Sequence, residues 1–242
     1  MARRTLGVIG GMGPAATLNF LTSLLQETPA ACDQDHLRVL VDQNPQIPDR
    51  VAAIRGDGPS PVPALAASAR LLQEAGADFL VIPCNTAHAF LSQVQAAVRI
   101  PIIDMVMEVV NWLGSRRIAR VGLMATDGTL QAGLYQARLL RAGMEPLLPP
   151  APQQAHLMQA IRGLKAGVPA AVLRPRVLEV ARSLEAAGAD GLLAGCTELP
   201  LMLDPTALGV LCADSSRILA AAAVRWALEP LALPAGERSP AR

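Results

Sequence analysis

The sequence predicts an α/β fold of two similar lobes, each built on a parallel sheet, related by internal duplication, with a site in the cleft between them. Two observations predict it. Short apolar runs alternate with longer amphipathic stretches along most of the 242 residues, the pattern of parallel strands joined by helical crossovers. In addition, the tetrad Ala75-Gly76-Ala77-Asp78 returns as Ala187-Gly188-Ala189-Asp190, and each copy leads to a cysteine nine residues after its first alanine, Cys84 and Cys196.

The strand candidates are 6–9, 37–41, 79–82, 100–103, 121–124, 191–194 and 210–212. Each is a short apolar run bounded by turn residues. The helix candidates are 15–27, 61–75, 87–98, 105–113, 130–142, 155–164, 170–187 and 215–228. The duplication reaches beyond the cysteines. Residues 6–14 align with 121–129, and Ile102-Ile103-Asp104 aligns loosely with Leu211-Cys212-Ala213-Asp214. A repeat this long exceeds any solenoid unit, so it reads as domain duplication. Ligands of such sheets bind beyond the carboxyl ends of the strands. Both cysteines, the Gly11 loop and the Thr126 loop fall at such ends.

Composition narrows the function. Hydrophobic residues make up 52% and aromatics 2%, so the core is aliphatic. The net charge of +1, without a basic block, argues against nucleic acid or an anionic membrane as partner. No apolar stretch is long enough to span a membrane. Arg3-Arg4 before 6–9 imitates the start of an export signal, but Gly10-Gly11-Met12-Gly13-Pro14 breaks the apolar run too early. Four cysteines without a C-x-x-C spacing suit neither a disulfide framework nor zinc, and read as reduced, cytoplasmic thiols. No metal site is expected. Residues 231–242 read as a flexible tail.

Cys84 and Cys196 each follow an apolar strand and precede a helix, where amide groups would favour a thiolate. Two duplicated thiols across a cleft suit removal of a proton from one face of a carbon and its return to the other. Cys32 and Cys212 read as ordinary small hydrophobes. Asn85, Thr86 and Thr197 offer short donors beside the thiols, or cap helices. His88 either orients Cys84 or serves the fold. Glu198 either supports Cys196 or is a plain helix charge. The Gly11 loop lacks the third glycine of a dinucleotide fingerprint and the Gly-Lys-Ser/Thr of a P-loop, so a small carboxylate is its better guest. Lys165 is the only lysine among 21 basic residues, which marks it out. Arg50, expected in a loop after a strand, presents a fork suited to a carboxylate. Together the two cations suit a dicarboxylate.

Gly10-Gly11-Met12-Gly13-Pro14, Asn44-Pro45-Gln46-Ile47-Pro48-Asp49-Arg50, Pro83-Cys84-Asn85-Thr86-Ala87-His88, Ala125-Thr126-Asp127-Gly128-Thr129, Leu164-Lys165-Ala166-Gly167 and Gly195-Cys196-Thr197-Glu198-Leu199 resemble the aspartate racemase branch of the aspartate/glutamate (Asp/Glu/hydantoin) racemase family. The resemblance spans about residues 5–228, and Glu198 stands where glutamate racemases proper carry a histidine. It implies two Rossmann-like lobes and a cofactor-independent racemase acting on aspartate or glutamate. It implies Cys84 and Cys196 as the two bases, Cys196 serving the L- and Cys84 the D-enantiomer. Arg50 and Lys165 become the cationic binding groups, with Met12, Gln46, Asn85, Thr86, Thr126 and Thr197 in the substrate loops. A homodimer is implied, as is a first lobe of 1–100 plus 207–230 and a second of 101–206. Alternatives are a hydantoin racemase, a maleate isomerase, an arylmalonate decarboxylase or a silent dicarboxylate binder. A pyridoxal-phosphate enzyme would need Lys165 as its Schiff base, with no phosphate cup beside it.

Overall fold

The computed structural model describes residues 3–229. The expected tail at 231–242 lies outside them. The first sheet holds β1 (Leu6–Gly10), β2 (Val39–Gln43) and β3 (Phe79–Val81), in the order β2-β1-β3. The second holds β4 (Arg120–Ala125), β5 (Glu145–Leu147), β6 (Gly191–Gly195) and β7 (Leu211–Asp214), in the order β5-β4-β6-β7. All pairings are parallel. The helices are α1 (Pro14–Glu27), α2 (Arg50–Arg55), α3 (Val62–Glu74), α4 (Leu91–Gln95), α5 (Met105–Ser115), α6 (Asp127–Gln131), α7 (Gln136–Arg141), α8 (Ala151–Lys165), α9 (Ala170–Ala186) and α10 (Ser215–Leu228). β1 and β6 are buried at every position, as continuous apolar strands covered on both faces must be. Among the described residues no helix is long and apolar enough to cross a membrane.

The two sheets superimpose in logic as well as order. β1 and β4 are the central strands, β2 and β5 the edges, and β3 matches β6. Where the second sheet has β7, the first has only a bridge between Leu80 and Ile102. The run expected as a strand at 100–103 is therefore reduced to that bridge. The repeated tetrads have a structural cause. Gly76 and Gly188 take left-handed φ values of 93° and 90°, which turn the chain out of α3 and α9. Asp78 then accepts from the Thr5 amide at 2.6 Å, and Asp190 from the Arg120 amide at 2.9 Å. Each aspartate thus pins the start of its neighbouring central strand. Gly7 and Gly122 are likewise equivalent. A Cβ on the first would collide with Leu80 and press on Ala77 and Leu72; on the second, with Leu192, Ala189 and Leu184.

Three further expectations change. β7 pairs with β6, so 211–214 belongs to the second sheet, and the chain turns back toward the first lobe only at α10. Asp214 caps that helix through the amides of Ser216 and Arg217, as Asp104 caps α5 through Val106 and Met107. The helix expected at 87–98 is a 3₁₀ turn, Thr86–Phe90, followed by the short α4. The helix expected at 130–142 divides into α6 and α7, because Gly133 adopts φ 63° between them. β5, which contains Pro146, and α2 were not foreseen at all. Proline at an edge strand is tolerated because it removes no ladder bond from a central position.

α10 packs on α1 and α5, and α5 also meets α7. One core therefore includes Leu6, Phe20 and Phe79 of the first lobe, Leu123 and Leu193 of the second, and Val109 and Leu219 of the two crossing helices. Outer cores close the far face of each lobe.

Candidate active site

The residues that follow the carboxyl ends of β1, β3, β4 and β6, among them Met12, Cys84, Thr126 and Cys196, line one cleft. The cleft is nearly closed, with a cavity volume of about 20 Å³. Cys84 lies three residues beyond β3, and Cys196 directly follows β6. Both line the cleft, and both are buried, 6% and 5% exposed. Met12, Arg50, Asn85, Thr86, Thr126, Lys165, Thr197 and Glu198 line it with them. Gln46 does not. It is exposed, and its amide donates to the Asn44 side chain at 3.0 Å. Asp49 and Val51 also line the cleft and were not singled out. Their signal was adjacency to Arg50.

Arg50 sits at the start of α2 rather than in a loop, with Asp49 capping the helix through the Ala52 amide at 2.8 Å. One guanidinium nitrogen, Nη1, donates to the carbonyls of Ile47 and Pro48, both at 3.0 Å. This fixes the charge against its own loop. Among the described residues Nε is buried without a partner, an expensive arrangement unless an acceptor enters the cleft.

Lys165 ends α8. Its Nζ lies 3.2 Å from Glu198 Oε1. Burial opposes its charge, but Glu198 favours it, as do ionised Cys196 and Cys84, and Arg50 opposes only weakly. The net effect holds the ammonium above its ordinary range. The Glu198 carboxylate is buried and fully engaged. Oε1 also accepts from the Gly13 amide at 3.3 Å, and Oε2 accepts from Cys196 Sγ at 3.1 Å and Thr197 Oγ1 at 3.4 Å. Burial pushes the Cys196 thiol well up, and Glu198 pushes the same way, against a smaller opposing pull from Lys165. The expectation of a thiolate favoured by helix amides therefore fails at Cys196. Only a short 3₁₀ turn, Leu199–Leu201, follows it, and the desolvation is larger.

The remaining donors are locked by contacts between the lobes. Thr86 Oγ1 meets Thr126 Oγ1 at 2.9 Å and Thr129 Oγ1 at 3.0 Å. Asn85 donates to Ser215 Oγ at 3.0 Å, Ser215 donates to the Ala194 carbonyl at 2.8 Å, and Tyr135 donates to Asn85 Oδ1. Tyr135 was missed, although it is the only tyrosine in the chain. His88 binds the backbone of Cys84, not its thiol. Nδ1 lies 2.9 Å from the Cys84 carbonyl, and Nε2 accepts from the Met105 amide at 3.2 Å. That pair of partners fixes the tautomer with the proton on Nδ1. Arg55 of α2 and Asp127 of α6 form a 2.9 Å ion pair that joins the lobes. Among the described residues, no group of three or more His, Cys, Asp or Glu is placed to hold a metal ion.

Such a fold and cleft define a class: duplicated two-lobe α/β proteins with a small-molecule pocket between the lobes. A profile of the Asp/Glu/Hydantoin racemase family matches residues 9–223, and the chain belongs to that family. It is thus an isomerase of the racemase type. Its fold is similar to that of the Picrophilus torridus aspartate racemase, with a TM-score of 0.85 and 29% identity over 93% of this chain and 94% of that one. In sequence it is 26% identical over 232 residues to the broad specificity amino-acid racemase RacX of Bacillus subtilis, covering 90% of this chain and 96% of the relative. It is also 30% identical over 158 residues to the glutamate racemase of Aquifex aeolicus, covering 63% of this chain and 59% of that relative.

Proposed function

We propose that the protein interconverts the L- and D-enantiomers of an acidic amino acid, aspartate first, by proton transfer between its α-carbon and two cysteines. The observation that carries this is the presence of Cys84 and Cys196, at equivalent strand ends of duplicated lobes, in one closed cleft with two cations. Arg50 and Lys165 hold the carboxylates, and the unpartnered Arg50 Nε gains an acceptor when substrate binds. One thiolate removes the α-proton. The other thiol delivers a proton to the opposite face and becomes the thiolate. The α-proton of an amino acid is weakly acidic, so the carbanion needs preorganised donors in a dry site. We assign that role to Asn85, Thr86 and Thr197, with the two threonine hydroxyls turning from Thr126, Thr129 and Glu198 toward the bound substrate.

A Schiff-base role for Lys165 is disfavoured on its chemistry. A nucleophilic amine must be neutral, whereas the Glu198 carboxylate holds this one as ammonium. Aspartate is preferred on the resemblance to an aspartate racemase. A one-methylene difference is worth only about 1–3 kcal/mol in such a pocket, so activity on glutamate at a lower rate fits the same site.

Chiral chromatography of L-aspartate, L-glutamate and a panel of neutral L-amino acids, incubated with the purified protein and no added cofactor, tests this. D-aspartate accumulating to a racemic mixture is expected, with Cys196→Ser slowing it by about 10²–10⁴-fold. Inversion of neutral amino acids alone would overturn the acidic-substrate assignment.

A further inference from the structure

The duplication that makes the two cysteines equivalent also shows where they differ. Two residues after Cys84 stands Thr86; two residues after Cys196 stands Glu198. The difference is carried into the geometry. Cys196 Sγ donates to Glu198 Oε2 at 3.1 Å. Among the described residues, the Cys84 thiol takes part in no side-chain hydrogen bond, and Thr86 turns instead to Thr126 and Thr129. Both thiols are equally buried, so exposure does not distinguish them.

We propose that Glu198 is a positioning residue that biases the proton of the pair toward Cys196, so that Cys196 rests as the thiol and the first proton is taken by Cys84. A carboxylate in hydrogen-bond contact stabilises a thiol and repels a thiolate. The other charged groups facing the pair do not cancel this bias. Lys165 pairs with Glu198 and acts on both cysteines. Arg50 is tied to Ile47 and Pro48, and Asp49 lines the cleft with one oxygen held by the Ala52 amide. Only Glu198 contacts one thiol and not the other.

This rests on the two-thiol reaction proposed above and deepens it. In one direction the Cys84 thiolate takes the α-proton and becomes a thiol, while the Cys196 thiol gives its proton to the carbanion and becomes a thiolate beside Glu198. That end state is the strained one. The opposite enantiomer needs it as the starting state. Two enantiomers have equal free energy in water, so kcat/KM must be equal for both. The bias therefore appears as kcat and KM both being larger, by the same factor, for the enantiomer that binds the Cys196-thiolate form.

The experiment is alkylation by iodoacetamide across a pH series, with the rate at each cysteine read by peptide mass spectrometry, in the wild-type protein and in Glu198→Gln. In the wild type the rate at Cys84 rises at lower pH than the rate at Cys196. In Glu198→Gln the neutral-pH rate at Cys196 increases about tenfold and the gap narrows, and the kcat ratio of the enantiomers moves toward one. Coincident wild-type profiles, or an unchanged gap in the variant, overturn the proposal. The wild-type comparison stands alone if the variant does not fold. Because alkylation needs no turnover, racemisation with coincident profiles removes only this inference, whereas separated profiles without racemisation remove only the reaction.

Discussion

Arg50 spends one nitrogen on two carbonyls and keeps another buried without an acceptor. A lysine at this position cannot do both, since it lacks the planar fork. Arg50→Lys should therefore raise KM for aspartate about tenfold or more, the equivalent of one charge-assisted hydrogen bond, with a smaller effect on kcat. Steady-state kinetics by coupled chiral assay measures it. Lys165→Gln acts on both binding and stability. It strands the Glu198 carboxylate, which is 3% exposed, but Lys165 is itself 37% exposed, so solvent screens part of the loss. A cost of about 1–2 kcal/mol is expected in urea unfolding, below the 3–5 of a fully buried pair.

The side chains that line the cleft were legible as residues because their types are unusual for the chain. A single lysine, duplicated cysteines and an arginine just after a Pro-rich loop stand out against an alanine- and leucine-rich background. Their partners were not legible. The contacts of Glu198 with Gly13, of Asn85 with Tyr135 and Ser215, and of His88 with the Met105 amide all join separate segments of the chain. Spacing within one segment carries no trace of them. Gln46 shows the reverse. It belongs to a motif at the site, yet the turn that places Arg50 inward leaves Gln46 outward.

At the scale of elements, the strands that were read well are those with no exposed face. β1, β3 and β6 are unbroken apolar runs because both faces are covered. The edge strand β5, partly exposed and containing proline, gave no such signal. The segment after Cys84 has enough helical propensity to be read as one helix, but tertiary contacts hold it as a 3₁₀ turn. His88 is central to that turn, tying the Cys84 carbonyl to the Met105 amide at the start of α5. Burial keeps its imidazole neutral, lowering it from the ordinary value of 6.5 against weaker opposing effects of the Cys84 carbonyl and Asp104. Its contribution to stability is thus present above the ordinary imidazole range and is lost as pH falls below it. The melting temperature should drop between about pH 7.5 and 5.5, spanning the unperturbed imidazole value. His88→Gln should melt lower at neutral pH but show a shallower acid dependence. Equal slopes for both proteins would show that the acid sensitivity arises elsewhere.

At the scale of the whole molecule, duplication was readable but its boundaries were not. β7 stays in the second sheet while α10, which follows without a loop, packs on α1 of the first lobe. α5 crosses in the opposite sense, from the first sheet toward α7. Hydrophobic periodicity marks these helices as amphipathic without stating which lobe they serve. The exchange gives the halves a common core, so they should unfold together. Trp112 on α5 and Trp226 on α10 are partly buried against that core and report on it. Far-ultraviolet circular dichroism and tryptophan fluorescence should give coincident urea transitions. Leu219→Ala, at a fully buried position in the shared core, should shift both together by about 2–5 kcal/mol. Two separated transitions would mean that the lobes are independent.

The two thiols are packed in the separate outer cores of opposite lobes, and the central claim is that each works on its own face of the α-carbon. Its most direct test is the early time course of L-aspartate in D2O, followed by proton NMR with separation of the enantiomers. Two separate proton carriers predict that the first D-aspartate formed carries deuterium at the α-carbon while the remaining L-aspartate keeps its proton, and that Cys84→Ser and Cys196→Ser each slow the inversion by about 10²–10⁴-fold. D-aspartate retaining the original α-proton would mean that a single group moves it from one face to the other, and would contradict the account.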